Sequence, residues 1–157
     1  MGEVKTECAR RESAINIEGV DMCFFRSGLE IIAAMLQAQG VQVMPVDRAR
    51  DLRYAGDDRE AVCRAIDNDL CIKAIINGKT VLAYIDESSK KLCMFATHCS
   101  TADHELEKPT EALRSMIEKL LPGAIALAVR VEVAKRQGKK VTVTSDPEVG
   151  ITLEIEA

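Results

Sequence analysis

The chain has 157 residues, of which 47% are hydrophobic and 29% are charged, and its formal net charge is -4. This composition is typical of a globular domain with a real hydrophobic core, and no apolar run approaches the ~18 residues that a membrane-spanning helix needs. An acidic chain with 3% aromatic residues lacks the clustered cations and stacking surfaces that nucleic acids require, so neither a membrane nor a nucleic acid is expected as a partner.

Residues 1–12 are charged and show no periodicity, so we expect a flexible tail followed by a single domain over residues 13–157. The first residues contain no apolar segment of the secretory type, and most of the six cysteines lie inside apolar patterns. Such a chain is expected to remain reduced and cytoplasmic.

The first periodic segments predict a strand followed by a helix. Residues 13–25 alternate between apolar and polar positions, which indicates one or two short strands. Residues 27–40 carry the clearest helical pattern in the chain, with Ser27 and Glu30 spaced as a capping box. Gly40 suits the position just after the end of this helix.

The next segments predict an edge strand, a loop and a second helix. Pro45 places the short strand over residues 41–46 at a sheet edge, because proline cannot donate to the strand ladder. Residues 47–56 are polar and predict a loop, and residues 57–67 predict a helix. The aspartates of this region alternate with arginines, which is typical of a solvated surface; they are Asp47, Asp51, Asp57 and Asp58.

A three-stranded meander is predicted over residues 70–97. Two runs rich in β-branched residues flank Asn77 and Gly78, the dipeptide that best tolerates the positive φ angles of a type I′ hairpin turn. A polar turn then leads into a third strand that contains Cys93.

The last third predicts one helix and three strands. Residues 107–123 are helical in pattern and are expected to end at Pro122 and Gly123. Residues 124–135 alternate in period two, so we predict a strand there, followed by strands over 141–145 and 151–157. The fold class is therefore α+β, a mainly antiparallel twisted sheet with three helices packed on it.

A basic segment separates the first two of these strands. It contains Lys135, Arg136, Lys139 and Lys140, and it suits contact with an acidic partner or a phosphate. The simpler interpretation is a solvated turn whose charges keep a strand edge from aggregating.

Two cysteines and both histidines of the chain lie close together, as Cys93, His98, Cys99 and His104. These are zinc-type ligands, but His98 and Cys99 are adjacent, and neighbouring side chains rarely bind one metal ion together. The favoured alternative is a packed Cys93 with the other three in a loop, so no cofactor is expected and zinc is the alternative.

A nucleophilic cysteine is a second alternative for this segment. Cys99 precedes a predicted helix and has histidines on both sides, and both features lower the pKa of a thiol. The usual sequence signatures of nucleotide-binding loops, serine hydrolases and zinc proteases are absent from the chain. These absences favour a protein without enzymatic activity.

The order of elements from Ser27 onward resembles the type III secretion chaperone-like fold, including the YbjN-type proteins. The resemblance rests on a helix ending in QAQGV, the meander CIKAIINGKTVLAYIDESSKKLCMFA, the helix PTEALRSMIEKLL and the returning strands. It implies a first helix packed on a twisted antiparallel sheet, and a dimer that presents apolar grooves to a segment of another protein.

Two hypotheses about function follow. The first is a non-enzymatic protein-binding module of the chaperone, adaptor or inhibitor kind, a homodimer whose partner is another protein or peptide segment. Its partner-facing residues are expected on the exposed apolar side of the first helix and on the Asn77–Gly78 hairpin. The second is a metal-binding or thiol-dependent protein that uses Cys93, His98, Cys99 and His104.

Overall fold

The computed structural model describes residues 9–53, 55–98 and 107–156. These residues form four α-helices and seven β-strands, which confirms the α+β class with one helix more than expected. The strands are β1 (Ala9–Asn16), β2 (Gln42–Met44), β3 (Cys71–Ile76), β4 (Lys79–Asp86), β5 (Lys91–His98), β6 (Lys140–Asp146) and β7 (Gly150–Glu156). The helices are α1 (Phe25–Ala38), α2 (Arg48–Leu52), α3 (Arg59–Asp67) and α4 (Glu107–Arg136).

Five strands form one antiparallel sheet in the order β1-β5-β4-β3-β2. The predicted meander is confirmed as β3, β4 and β5, and the first turn has positive φ angles of 52° at Asn77 and 75° at Gly78. Short β2 lies at a sheet edge, as Pro45 predicted. At the opposite edge, β1 includes residues 9–12, which the sequence had assigned to the tail, and residues 1–8 lie outside the described part of the chain.

Both faces of the sheet are covered by helices near its centre. Five successive residues of β4, Val81–Ile85, are all buried, and successive side chains of a strand point to opposite faces. On one face α1 and α4 pack together, and α4 crosses β1, β5, β4 and β3. On the other face α2 and α3 pack together, and α3 contacts β3 and β4.

Helix α1 begins at Phe25, two residues earlier than predicted, and the expected capping box is wrong. Ser27 is buried inside the helix, and its hydroxyl donates to Oε1 of Glu132 in α4 at 2.6 Å. A Cβ atom added to Gly28 would lie 3.4 Å from Cδ1 of Ile125, so the two helices approach closely there. Packing against α4, rather than a local cap, therefore positions the start of α1.

Helix α4 runs for 30 residues through Pro122, so the predicted strand over residues 124–135 is wrong. Its buried residues recur at spacings of three, four or seven, as expected for one face of a helix, and they include Thr110, Leu113, Ile117, Ala124, Ala128, Val131 and Ala134. The alternating valines are a coincidence of period two, since Val133 is 49% exposed while Ala128 is fully buried. Burial of the small residues against α1 outweighs the hydrogen bond that Pro122 removes.

The polar segment predicted as a loop contains α2, which is held by a buried ion pair. The Asp47 side chain accepts from the Arg50 amide, and Oδ2 of Asp51 accepts from the Asp47 amide at 2.7 Å. Nζ of Lys73, on β3, lies 3.0 Å from Oδ1 of Asp51, and both side chains are at most 10% exposed. The expectation of a fully solvated acidic surface is therefore wrong at Asp51, which anchors α2 to the sheet. Among the described residues, no helix is both long enough and apolar enough to cross a membrane.

Candidate protein-binding surface

Strands β6 and β7 form a separate two-stranded hairpin. The turn between them is fixed locally, because Oδ1 of Asp146 accepts from the amide of Glu148 at 2.8 Å. Gly150, which begins β7, has a φ of 89°, a conformation that favours glycine. The sequence therefore specifies the hairpin, as its alternation predicted.

One face of the hairpin packs on the outer side of α1. The apolar residues of that face are only partly buried, and they are Val141, Val143, Ile151 and Leu153. Ser145 shares this face, and its hydroxyl lies 3.5 Å from Oε1 of Gln37 in α1. The opposite face is exposed and polar, and Thr142, Thr144 and Thr152 lie at its centre.

This placement corrects the partner surface expected on α1. Five large apolar residues of α1 are at most 1% exposed, and they are Phe25, Leu29, Ile31, Ile32 and Leu36. The sixth, Met35, is partly buried against the core. Since α4, the sheet and the hairpin cover them, they belong to the core. The Asn77–Gly78 hairpin is likewise part of the central sheet, with most of β3 and β4 buried.

Both outer edges of the β6–β7 hairpin carry no strand partner within the described residues. Every second residue of such an edge strand points its backbone N–H and C=O groups away from the hairpin, which leaves them able to pair with another strand. The edges of the main sheet are less suited to pairing with another strand, because β1 contains Arg10, Arg11 and Glu12, and β2 has only three residues. Strand β6 has no charge between Lys140 and Asp146.

Charge is distributed differently on the two edges. Strand β6 begins at Lys140, directly after the basic junction with α4, which holds Lys135, Arg136 and Lys139. It ends at the acidic turn that holds Asp146 and Glu148. Strand β7 carries only acidic charge, at exposed Glu154 and Glu156. The β6 edge is therefore bipolar and the β7 edge is acidic.

Exposed apolar side chains lie at both ends of the hairpin. Val149, in the turn, is 74% exposed. Val133 at the end of α4 is 49% exposed and Ile155 on β7 is 43% exposed. Val133 and Ile155 lie at the same end of the hairpin. The Lys139 amide donates to the Ala134 carbonyl, which holds the end of α4 beside the start of β6, and Val141 of β6 pairs with Ile155. The strand edges are thus flanked by apolar contact points.

The alternative zinc site at Cys93, His98, Cys99 and His104 stays a hypothesis. Cys93 lies in the middle of β5 and His98 at its end, whereas Cys99 and His104 lie outside the described residues. In the part of the chain that the structure describes, no three His, Cys, Asp or Glu side chains converge on one point.

Cys93 lines an open concavity of about 390 Å³, together with Asp58, Tyr84 and Phe95. Burial raises the pKa of its thiol above the usual range, while the neighbouring Tyr84 hydroxyl lowers it. The carboxylates of Asp86 and Asp58 also raise this pKa. The Cys93 thiol is therefore protonated at neutral pH and is a weak nucleophile.

We expect the Cys71 thiol to react more slowly than any other described cysteine. Burial, followed by the nearby Asp51 carboxylate, raises its pKa from 9.0 to about 12. Pulsed iodoacetamide labelling read by peptide mass spectrometry is expected to modify Cys71 more slowly than Cys23, Cys63 and Cys93, and at least about tenfold more slowly in the folded protein than in the unfolded chain.

Because of the Cys71 thiol, the free energy of unfolding is expected to decrease at alkaline pH. Between pH 9.0 and about 12 the unfolded thiol has lost its proton while the folded thiol keeps it. The folded state then binds more protons, so the free energy of unfolding decreases as pH rises. Cys71→Ala should flatten this slope; an unchanged slope, or labelling as fast as in the unfolded chain, would contradict the burial of Cys71.

No protein-family model matches the chain, and comparisons with curated proteins and with solved structures found no similar protein.

Proposed function

We propose that the chain is a non-enzymatic, dimeric protein-binding module that holds an extended segment of another protein by strand addition. The observation that carries the proposal is the β6–β7 hairpin, with one face seated on α1 and both edges unpaired within the described residues. Strand addition supplies affinity through main-chain hydrogen bonds and specificity through alternate side chains. The chaperone-like resemblance implies the same class of function, and of its elements the first helix, the meander and the helix PTEALRSMIEKLL are present as α1, β3–β5 and the first half of α4.

The β7 edge is the one that we assign to the other protein. Glu154 and Glu156 are exposed on its polar face, so a strand that pairs there meets negative charge at alternate positions. A basic extended segment satisfies both charges and the free backbone groups. The proposal places the protein in a reducing cytoplasm, which the free thiols of Cys23, Cys63, Cys71 and Cys93 support.

The test uses a synthetic heptapeptide of alternating lysine and valine as the probe. Its binding should slow amide hydrogen exchange in β7 and be weakened at least about tenfold by Glu154→Lys, since a favourable cross-strand pair becomes a repulsive one. Glu87→Lys is the matched control, because Glu87 is exposed in the turn between β4 and β5.

A second peptide of equal charge, with proline replacing the valines, controls for non-specific attraction because it cannot form a strand ladder. Equal binding of the two peptides, or equal weakening by Glu87→Lys and Glu154→Lys, would contradict the proposal. So would binding that leaves the exchange of the β7 amides unchanged.

A further inference from the structure

We infer that the β6 edge pairs with the β6 edge of a second copy of this chain, antiparallel and centred on Val143. The inference rests on the proposed function, in which the hairpin is a strand-pairing surface, and it names the partner of the second edge. The features that carry it are the uncharged interior of β6 and the opposite charges at its two ends.

Antiparallel pairing through a two-fold axis makes β6 complementary to itself. With Val143 opposite Val143 of the second copy, Lys140 lies opposite Asp146 of the second copy, and Thr142 lies opposite Thr144. The symmetry repeats each pair, so two Lys–Asp pairs close the ends of the joined strands. Within its own hairpin Lys140 already lies opposite Glu156, so it sits between two carboxylates in the four-stranded sheet.

The flanking segments extend the same complementarity. In this register the acidic turn with Glu148 reaches the basic junction of the second copy, where Lys139 follows the last turn of α4. Val149, the most exposed large apolar residue described, reaches the same junction, which follows the half-exposed Val133 in the chain of the second copy. Pairing therefore covers apolar side chains that each copy alone leaves in water.

Strand β7 does not have this property. Antiparallel self-pairing centred on Leu153 would place Glu154 opposite Thr152 and Glu156 opposite Gly150, so neither carboxylate gains a cation. The two joined β7 strands would hold four carboxylates and no opposite charge, whereas the joined β6 strands gain two Lys–Asp pairs. The second copy therefore takes β6, and β7 stays open at each outer edge of the joined sheet.

Charge reversal tests the register. Lys140→Glu and Asp146→Lys should each weaken self-association at least about tenfold in analytical ultracentrifugation, because each substitution makes both end pairs repulsive. A 1:1 mixture of the two variants should restore a dimer, since the carboxylate introduced by the first substitution then faces the ammonium group introduced by the second. The other end of that mixed dimer keeps the original pairing of Lys140 with Asp146. Circular dichroism confirms that each variant is folded.

Glu154→Lys is the matched control, because it changes a charge on β7 and should leave the dimer intact. A wild-type chain that stays monomeric up to its solubility limit would overturn the inference. Single variants that dimerise like wild type would also overturn the inference, because the interface would then lie elsewhere. A 1:1 mixture that forms no dimer would overturn it as well. Peptide protection of β7 is a separate readout, so failure of the dimer and failure of the proposed function are distinguishable.

Discussion

Replacing Lys73 with methionine is expected to lower the free energy of unfolding by about 3–5 kcal/mol, because it leaves the buried Asp51 carboxylate without its cation. The two side chains are 10% and 8% exposed, and their charged atoms lie 3.0 Å apart. Methionine keeps the volume of the lysine stem, so the loss reports the charge rather than a cavity. Urea denaturation at neutral pH measures it.

The exposed pair of Arg48 and Asp67 provides the matched control. Its atoms are also 3.0 Å apart, but its side chains are 58% and 54% exposed. Arg48→Met should therefore cost less than about 1 kcal/mol. Equal losses for Lys73→Met and Arg48→Met would show that α2 is not docked on the sheet as described.

A double variant separates the charge from the packing. Lys73→Met combined with Asp51→Met should recover more than half of the loss, since two apolar side chains replace a buried ion pair at little cost. Recovery should stop short of wild type by about 1 kcal/mol, because the Asp47 amide loses its acceptor on Asp51.

Replacing Ala128 with glutamine is expected to lower the free energy of unfolding by about 3 kcal/mol, since it overfills a close helix contact and buries an amide. Ala128 is fully buried where α4 crosses α1 beside Gly28. Val133→Gln is the matched control, because Val133 is 49% exposed. It should cost about 0.5 kcal/mol or less.

This pair of variants discriminates between helix and strand over residues 124–135. In the helix Ala128 points inward and Val133 outward, whereas in an alternating strand the valines would point inward and Ala128 outward. A larger loss for Val133→Gln than for Ala128→Gln in thermal or urea unfolding would therefore contradict α4 as described.

The elements that sequence predicted well are those specified by near neighbours. The Asn77–Gly78 turn and the two β-rich runs beside it lie within one short segment, so local turn chemistry sets the register. Strands β6 and β7 were found for the same reason. The absence of charge inside β6, visible in the sequence, was the available signal for a pairing edge.

The errors arose where distant residues decide the structure. The hydroxyl of Ser27 donates to Glu132, which is 105 positions away, so the prediction of Ser27 as a helix cap was wrong. Asp51 is buried because Lys73 on another element neutralises it, and no local pattern reveals that pairing. Alternating valines indicated a strand after Pro122, but packing against α1 keeps the segment helical.

Native mass spectrometry of freshly purified, reduced protein distinguishes a metal-free dimer from the alternatives, because it reads subunit number and bound metal in one spectrum. A protein-binding module joined through β6 should appear as a dimer with the mass of two unmodified chains. A monomer at every accessible concentration would contradict the dimer. A stoichiometric zinc ion would contradict the metal-free account and favour a site that includes Cys93, His98, Cys99 and His104.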